Sequence, residues 1–152
     1  MNAGVLEVRP RRARRVALAA AVLLVVVFSV VAVLLRRTPT GVYFRFSDQV
    51  AMVVLGLLLA GAALLFTRPR VRAGVEGVAV RNLLGTRMVP WELVLRVSFP
   101  DGAPWARLEL PEDEYIAVMA IQSADGRHAV QAIRALRAVH AEHTAPRETP
   151  GP

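Results

Sequence analysis

Val16 to Leu35 reads VALAAAVLLVVVFSVVAVLL, twenty residues without a charge. As a helix this run is about 30 Å long, the thickness of a bilayer's hydrocarbon core. It constrains the chain more than any other feature. A second run, Val50 to Phe66 (VAMVVLGLLLAGAALLF), has 17 residues and spans roughly 25 Å, the short end of the range for a crossing helix. Gln49 and Thr67 mark its ends. Neither run has a polar face to meet water, which argues against a surface or core helix of a soluble domain. A cleaved leader is a poor description of the first run: it is too long, and Arg36-Arg37 stand where a small-residue cleavage site belongs. In a chain of 152 residues, two crossings leave room for one small domain.

Charge follows these runs. Residues 1–15 carry five Arg and one Glu, residues 36–49 three Arg and one Asp, and residues 67–152 eleven Arg and ten acids. The net charge of +7 is therefore +4, +2 and +1 by region, and without Arg68, Arg70 and Arg72, beside the second run, the tail stands at −2. A nucleic-acid binder needs its basic side chains on the folded face, so that class is excluded. Arg9, Arg11, Arg12, Arg14, Arg15, Arg68, Arg70 and Arg72 outnumber Arg36, Arg37 and Arg45. This predicts a multi-pass cell-membrane protein with both termini cytoplasmic and a short external loop. Gly56 and Ala60, four apart, suit close packing of the two helices as a hairpin. No ionisable residue lies within either span, so the spans read as an anchor rather than a transport path.

The organisation predicted is a basic cytoplasmic segment 1–15, a transmembrane helix 16–35, an external loop 36–49, a second transmembrane helix 50–66, a folded domain 71–143 and a disordered tail 144–152. Within the domain, Gly74 and Gly77 punctuate a β hairpin, and Val78 and Val80 alternate with Ala79 and Arg81. Arg87 to Val89 forms another strand. Trp91 to Val94 forms a helical turn before alternation resumes through Leu95, Val97 and Phe99. Pro100 to Pro104 is a loop. Trp105–Leu110 and Tyr115–Ile121 are strands joined by a charged turn. Asp125 stands as N-cap of a helix whose apolar stripe is Val130, Ile133 and Leu136, with Ala129 and Ala132 beside it. The fold class is thus α+β: a two-helix hairpin, then a small antiparallel sheet or barrel covered by a C-terminal helix.

Several stretches together carry a family resemblance: GVAVRNLL (77–84), VPW (89–91), FPDGAPWARLEL (99–110), DEYIAVMAIQ (113–122) and DGRHAVQAIRALR (125–137). The tail resembles the bacterial PH-like domain of small actinobacterial membrane proteins, some of them described as a low-molecular-weight protein antigen. The resemblance implies a strongly bent antiparallel barrel closed at one end by the last helix, and no enzymatic activity. Phosphoinositide-binding PH domains place a Lys/Arg cluster between their first two strands. Here Arg68-Pro69-Arg70-Val71-Arg72 looks similar, but its place beside a span has a topological explanation.

Cysteine is absent, which excludes disulfides, thiolate metal sites and a Cys nucleophile. No phosphate loop, nucleophile elbow or HExxH appears, and no catalytic, cofactor or metal residue is nominated. Glu109, Glu112, Asp113 and Glu114 read as a solvated turn rather than a cation site or a hydrolase centre. His140 and His143 read as a frayed helix end. Trp91 and Trp105 are expected as structural core residues. The leading expectation is a binding or scaffolding module with a protein partner or self-association; the alternative is a sensor of anionic headgroups, with Arg81, Arg87 and Arg96 as candidate contacts.

Overall fold

The computed structural model describes residues 5–37 and 45–145. Residues 38–44 of the expected external loop and 146–152 of the expected disordered tail lie outside the described residues. The chain forms two compact units, one of residues 12–67 and one that joins the residues up to Arg11 to those from Arg68 onward.

The first unit is built from helix α1 (Arg11–Arg37) and helix α2 (Phe46–Leu64), the latter continued by a 3-10 turn Leu65–Thr67. Both are long and apolar enough to cross a membrane. Their large side chains face outward: Val22, Leu23, Leu57 and Leu58 are each more than half exposed, whereas Gly56 and Ala60 are buried. A Cβ on Gly56 would lie 2.6 Å from the Cβ of Phe28, so the glycine lets α2 approach α1 more closely than any side chain permits.

Among the described residues the second unit holds seven strands in two antiparallel sheets. The first sheet has the order β1-β2-β3-β4: Leu6–Val8, Arg70–Gly74, Gly77–Arg81 and Thr86–Val89. The second has the order β5-β6-β7: Arg96–Ser98, Trp105–Glu109 and Tyr115–Gln122. Helix α3 (Arg127–Thr144) packs over both. Alternation places Val71, Ala73, Val78, Val80, Val97, Leu108, Ile116 and Val118 inward, where Ala129, Ala132, Ile133 and Leu136 of α3 cover them. The barrel implied by the resemblance is not closed. Among the described residues no ladder joins β4 to a second strand, and the two sheets remain separate.

One strand comes from an unexpected place. The segment read as a basic lead-in to the first helix supplies β1, which pairs with β2 through Leu6↔Ala73, Glu7↔Arg72 and Val8↔Val71. Val8 joins the core at 6% exposure. β1 precedes α1 and β2 follows α2, so the chain leaves the folded domain and rejoins it between neighbouring strands.

Glu7 accepts hydrogen bonds from Arg9 at 2.7 Å and from Arg72 at 2.8 Å, and these hold its carboxyl below the usual 4.5. A lowered acid stabilises the fold above its unfolded value, and that contribution is lost as pH falls through the lowered one. The amides of β1 are therefore expected to lose protection first on acidification. Hydrogen exchange of the full chain at about pH 6 and about pH 3, each corrected for the intrinsic rate, checks this.

Candidate membrane-surface site

The register of the first sheet fixes which residues share an end. Val8, Val71, Val80 and Arg87 stand opposite one another in one row. In the next, Arg70 faces Arg81 and Arg81 faces Thr86. Beyond that row lie Pro10 and the start of α1, Pro69 shortly after the 3-10 turn that continues α2, and the turn Asn82–Gly85 between β3 and β4. The turn is closed by the Asn82 N–H donating to the Gly85 carbonyl at 2.9 Å. At its tip Leu84 is 90% exposed, with Leu83 half-buried behind it.

Two arginines directly opposite on a sheet repel, at a cost of about 0.2–1 kcal/mol. Arg70 and Arg81 form such a pair, and among the described residues neither has a carboxylate within salt-bridge distance. The guanidinium of Arg72, partial burial and Arg81 each push the Arg70 pKa down. Arg87 lies across from Val80 and is exposed at the mouth of a groove of about 510 Å³, which Leu84, Tyr115 and Met119 also line. Asn82 bridges the sheets at this groove. Its side-chain amide donates to Ala117 O at 2.9 Å, and its carbonyl accepts from Met119 N–H at 3.3 Å. It thus takes the place of a strand's peptide group along part of the open edge of β7.

Of the three arginines expected at a lipid surface, Arg81 and Arg87 come together at this end and Arg96 does not. Arg96 lies on β5, where two of its nitrogens engage both oxygens of Glu109 at 2.9 and 3.0 Å. Arg70 belongs with Arg81, a grouping the sequence hid because Arg70 read as a flank of the second span. The two tryptophans also differ. Trp91 is buried at 4%, donates from Nε1 to Gly74 O at 2.7 Å, and stacks on His143 at 5.4 Å. Trp105 is only half-buried, outside the core cluster, at a register shift that opens β6. His140 and His143 are not a frayed end: both rings flank Trp91, and His140 Nε2 donates to Val94 O at 2.8 Å. Glu112 and Asp113 make the tight charged turn with positive φ, 61° and 57°. Val130, expected on the apolar stripe of α3, is 47% exposed and lines a separate groove with Phe99 and Arg137.

Asp125 has a different task from the one its position suggests. The residue preceding α3 is Gly126, and no side chain caps that helix. The Asp125 carboxylate, 9% exposed, instead accepts from the N–H of Arg11, the first residue of α1, at 3.0 Å. The first turn of α1 has no acid of its own, and a carboxylate there satisfies an orphan donor and complements the helix dipole. His128 Nε2 donates to Arg9 O at 3.2 Å beside it. Asp125→Ala is expected to cost about 0.5–2 kcal/mol and to speed amide exchange at the start of α1 while the β6–β7 ladder keeps its protection.

Two antiparallel sheets covered by a C-terminal helix, with a hydrophobic hairpin inserted between the first two strands, define a membrane-associated PH-like protein. Residues 68–138 match the bacterial PH domain family, a region that starts after the hairpin and omits β1. Uncharacterized proteins of Mycobacterium bovis and of the CDC 1551 and H37Rv strains of Mycobacterium tuberculosis are each 53% identical to this chain over 122 residues, covering 80% of it and 79% of their own length. No solved structure matches significantly. The chain belongs to the bacterial PH domain family, and these relatives are actinobacterial.

Proposed function

We propose that this protein is a non-enzymatic binding module fixed at the cytoplasmic face of the cell membrane, where its PH-like domain holds a protein partner or a second copy of itself. The observation that carries the reading is the unclosed barrel. Among the described residues β4 pairs with β3 alone, and Thr86, Arg87 and Met88 on it are exposed. An open edge of this kind accepts an added strand through main-chain hydrogen bonds. Placing both termini in the cytoplasm rests on the arginine distribution, supported by the pairing of β1 with β2, which returns the chain to the side it left.

The test is site-specific photo-cross-linking of the full chain in its native membrane. A cross-linker at Met88 is expected to give an adduct of discrete mass. One at Val75, even more exposed in the β2–β3 turn at the other end of the sheet, is expected to give none. Adducts at both positions, or at neither, defeat the edge-binding reading. A second reading, recognition of anionic headgroups, is favoured by the opposed Arg70 and Arg81.

A further inference from the structure

The domain is tied to the hairpin at two points, and both lie at one end of the first sheet. β1 ends at Val8 and α1 starts at Arg11; β2 starts at Arg70 directly after the turn that ends α2. The apolar run of α1 begins at Val16, five residues and roughly 7 Å of helix after Arg11. That of α2 ends at Phe66, four residues before Arg70. Where these helices cross a bilayer, this end of the sheet is held at its surface. The Asn82–Gly85 turn projects from the same end, since Arg81 and Thr86, which bracket it, stand in the row of Arg70.

Leu84 stands 90% exposed at the tip of a tight turn, with the half-buried Leu83 beside it. Its neighbours are the opposed pair Arg70 and Arg81, with Arg87 at the adjoining groove. An apolar tip with cations at its base on both faces of the sheet matches the layering of a bilayer surface, in which phosphates lie just outside the acyl chains.

We propose that this turn is a third membrane contact: Leu84 enters the interfacial layer of the bilayer that holds the hairpin, and Arg70, Arg81 and Arg87 meet lipid phosphates around it. The contact rests on the reading of α1 and α2 as spans, and it goes beyond headgroup recognition by assigning the inserted residue. Its consequence is orientation. Two tethers leave a domain free to rock about the line between them, and a third contact off that line fixes its tilt. The β4 edge is then presented in one direction.

The absence of native cysteine makes the test direct. A Cβ at Gly85 meets nothing within 4 Å, so a Gly85→Cys label sits beside Leu84 without displacing it. The full chain, labelled with an environment-sensitive fluorophore, is reconstituted into anionic vesicles whose lipids carry bromine at shallow or deep acyl positions. The label at 85 is expected to lose most of its intensity to shallow bromines, and a label at Val75→Cys to lose none. Leu84→Ser is expected to abolish the quenching at 85, and Arg70→Gln with Arg81→Gln to reduce it. A Leu23→Cys label within α1 reports the anchor separately. Quenching at 23 without quenching at 85 overturns the third contact and leaves the spans standing. Quenching at 85 that survives Leu84→Ser also overturns it, because the label itself is then the inserted group. No quenching at 23 removes the premise along with the proposal.

Discussion

Replacing Trp91 by alanine is expected to destabilise the PH-like domain by about 3–5 kcal/mol, the range for removing a large buried aromatic. Such a loss is a large share of the 5–15 kcal/mol typical of a whole domain. Trp91 joins three parts of the unit. It sits in the 3-10 turn Trp91–Leu93 that leads from one sheet to the other, its indole N–H holds the carbonyl at the end of β2, and its ring lies against His140 and His143 near the end of α3. Trp91→Phe separates these contributions. It retains most of the packed ring but leaves Gly74 O without its donor, so a smaller cost of about 1–3 kcal/mol is expected. Trp105→Ala, at a half-buried strand end, is expected to cost least of the three. Denaturant unfolding of the full chain in detergent, followed by near-ultraviolet circular dichroism, ranks them. Equal effects at positions 91 and 105 would show that the packing around Trp91 is not what holds the two sheets and α3 together.

The elements legible in the sequence are those whose signal is local. Long uncharged runs mark α1 and α2, Gly74 and Gly77 mark the β2–β3 hairpin, and the Pro100–Pro104 loop separates β5 from β6. Alternation from Tyr115 gives β7, and helical spacing gives α3. What escaped depends on partners distant in the chain. β1 is three residues long, too short for any period to register, and its partner strand lies beyond both apolar helices. Asp125 has the residue type and position of an N-cap, yet the donor it satisfies is 114 residues away. Asn82 looks like an ordinary turn residue until β7 is brought alongside it. The grouping of the candidate lipid contacts turns on distant partners in the same way. Arg81, Arg87 and Arg96 are the candidates the sequence offers, whereas sheet register sets Arg70 opposite Arg81, with Arg87 in the neighbouring row, and Glu109 engages Arg96. The open barrel, on which the proposed function depends, is likewise a property of strand order that no single segment displays.

Gly77→Ala is expected to be the most damaging single-methyl change in the domain. Gly77 has φ of +142°, which side chains rarely adopt, and a Cβ there would collide with the Val89 carbonyl and approach Pro90 Cα to 2.9 Å. The strain alone costs about 1–3 kcal/mol. Relieving the collision requires β3 to move away from the end of β4, which adds about 1–3 kcal/mol, as for overpacking in a tight core. The displacement reaches beyond one turn, since Val78 pairs with Val89 and Pro90-Trp91 follow directly. Gly102→Ala serves as the control. Gly102 also has positive φ, +76°, but a Cβ there meets nothing within 4 Å, so only the backbone strain remains. A loss at Gly77 well above that at Gly102, read as the fall in unfolding midpoint of the full chain, attributes the excess to the β3–β4 contact. Equal losses would mean that β4 yields to the methyl group. The edge proposed to receive a partner strand would then be a pliable surface rather than a rigid template, and Gly77→Ala would weaken cross-linking at Met88 no more than Gly102→Ala does.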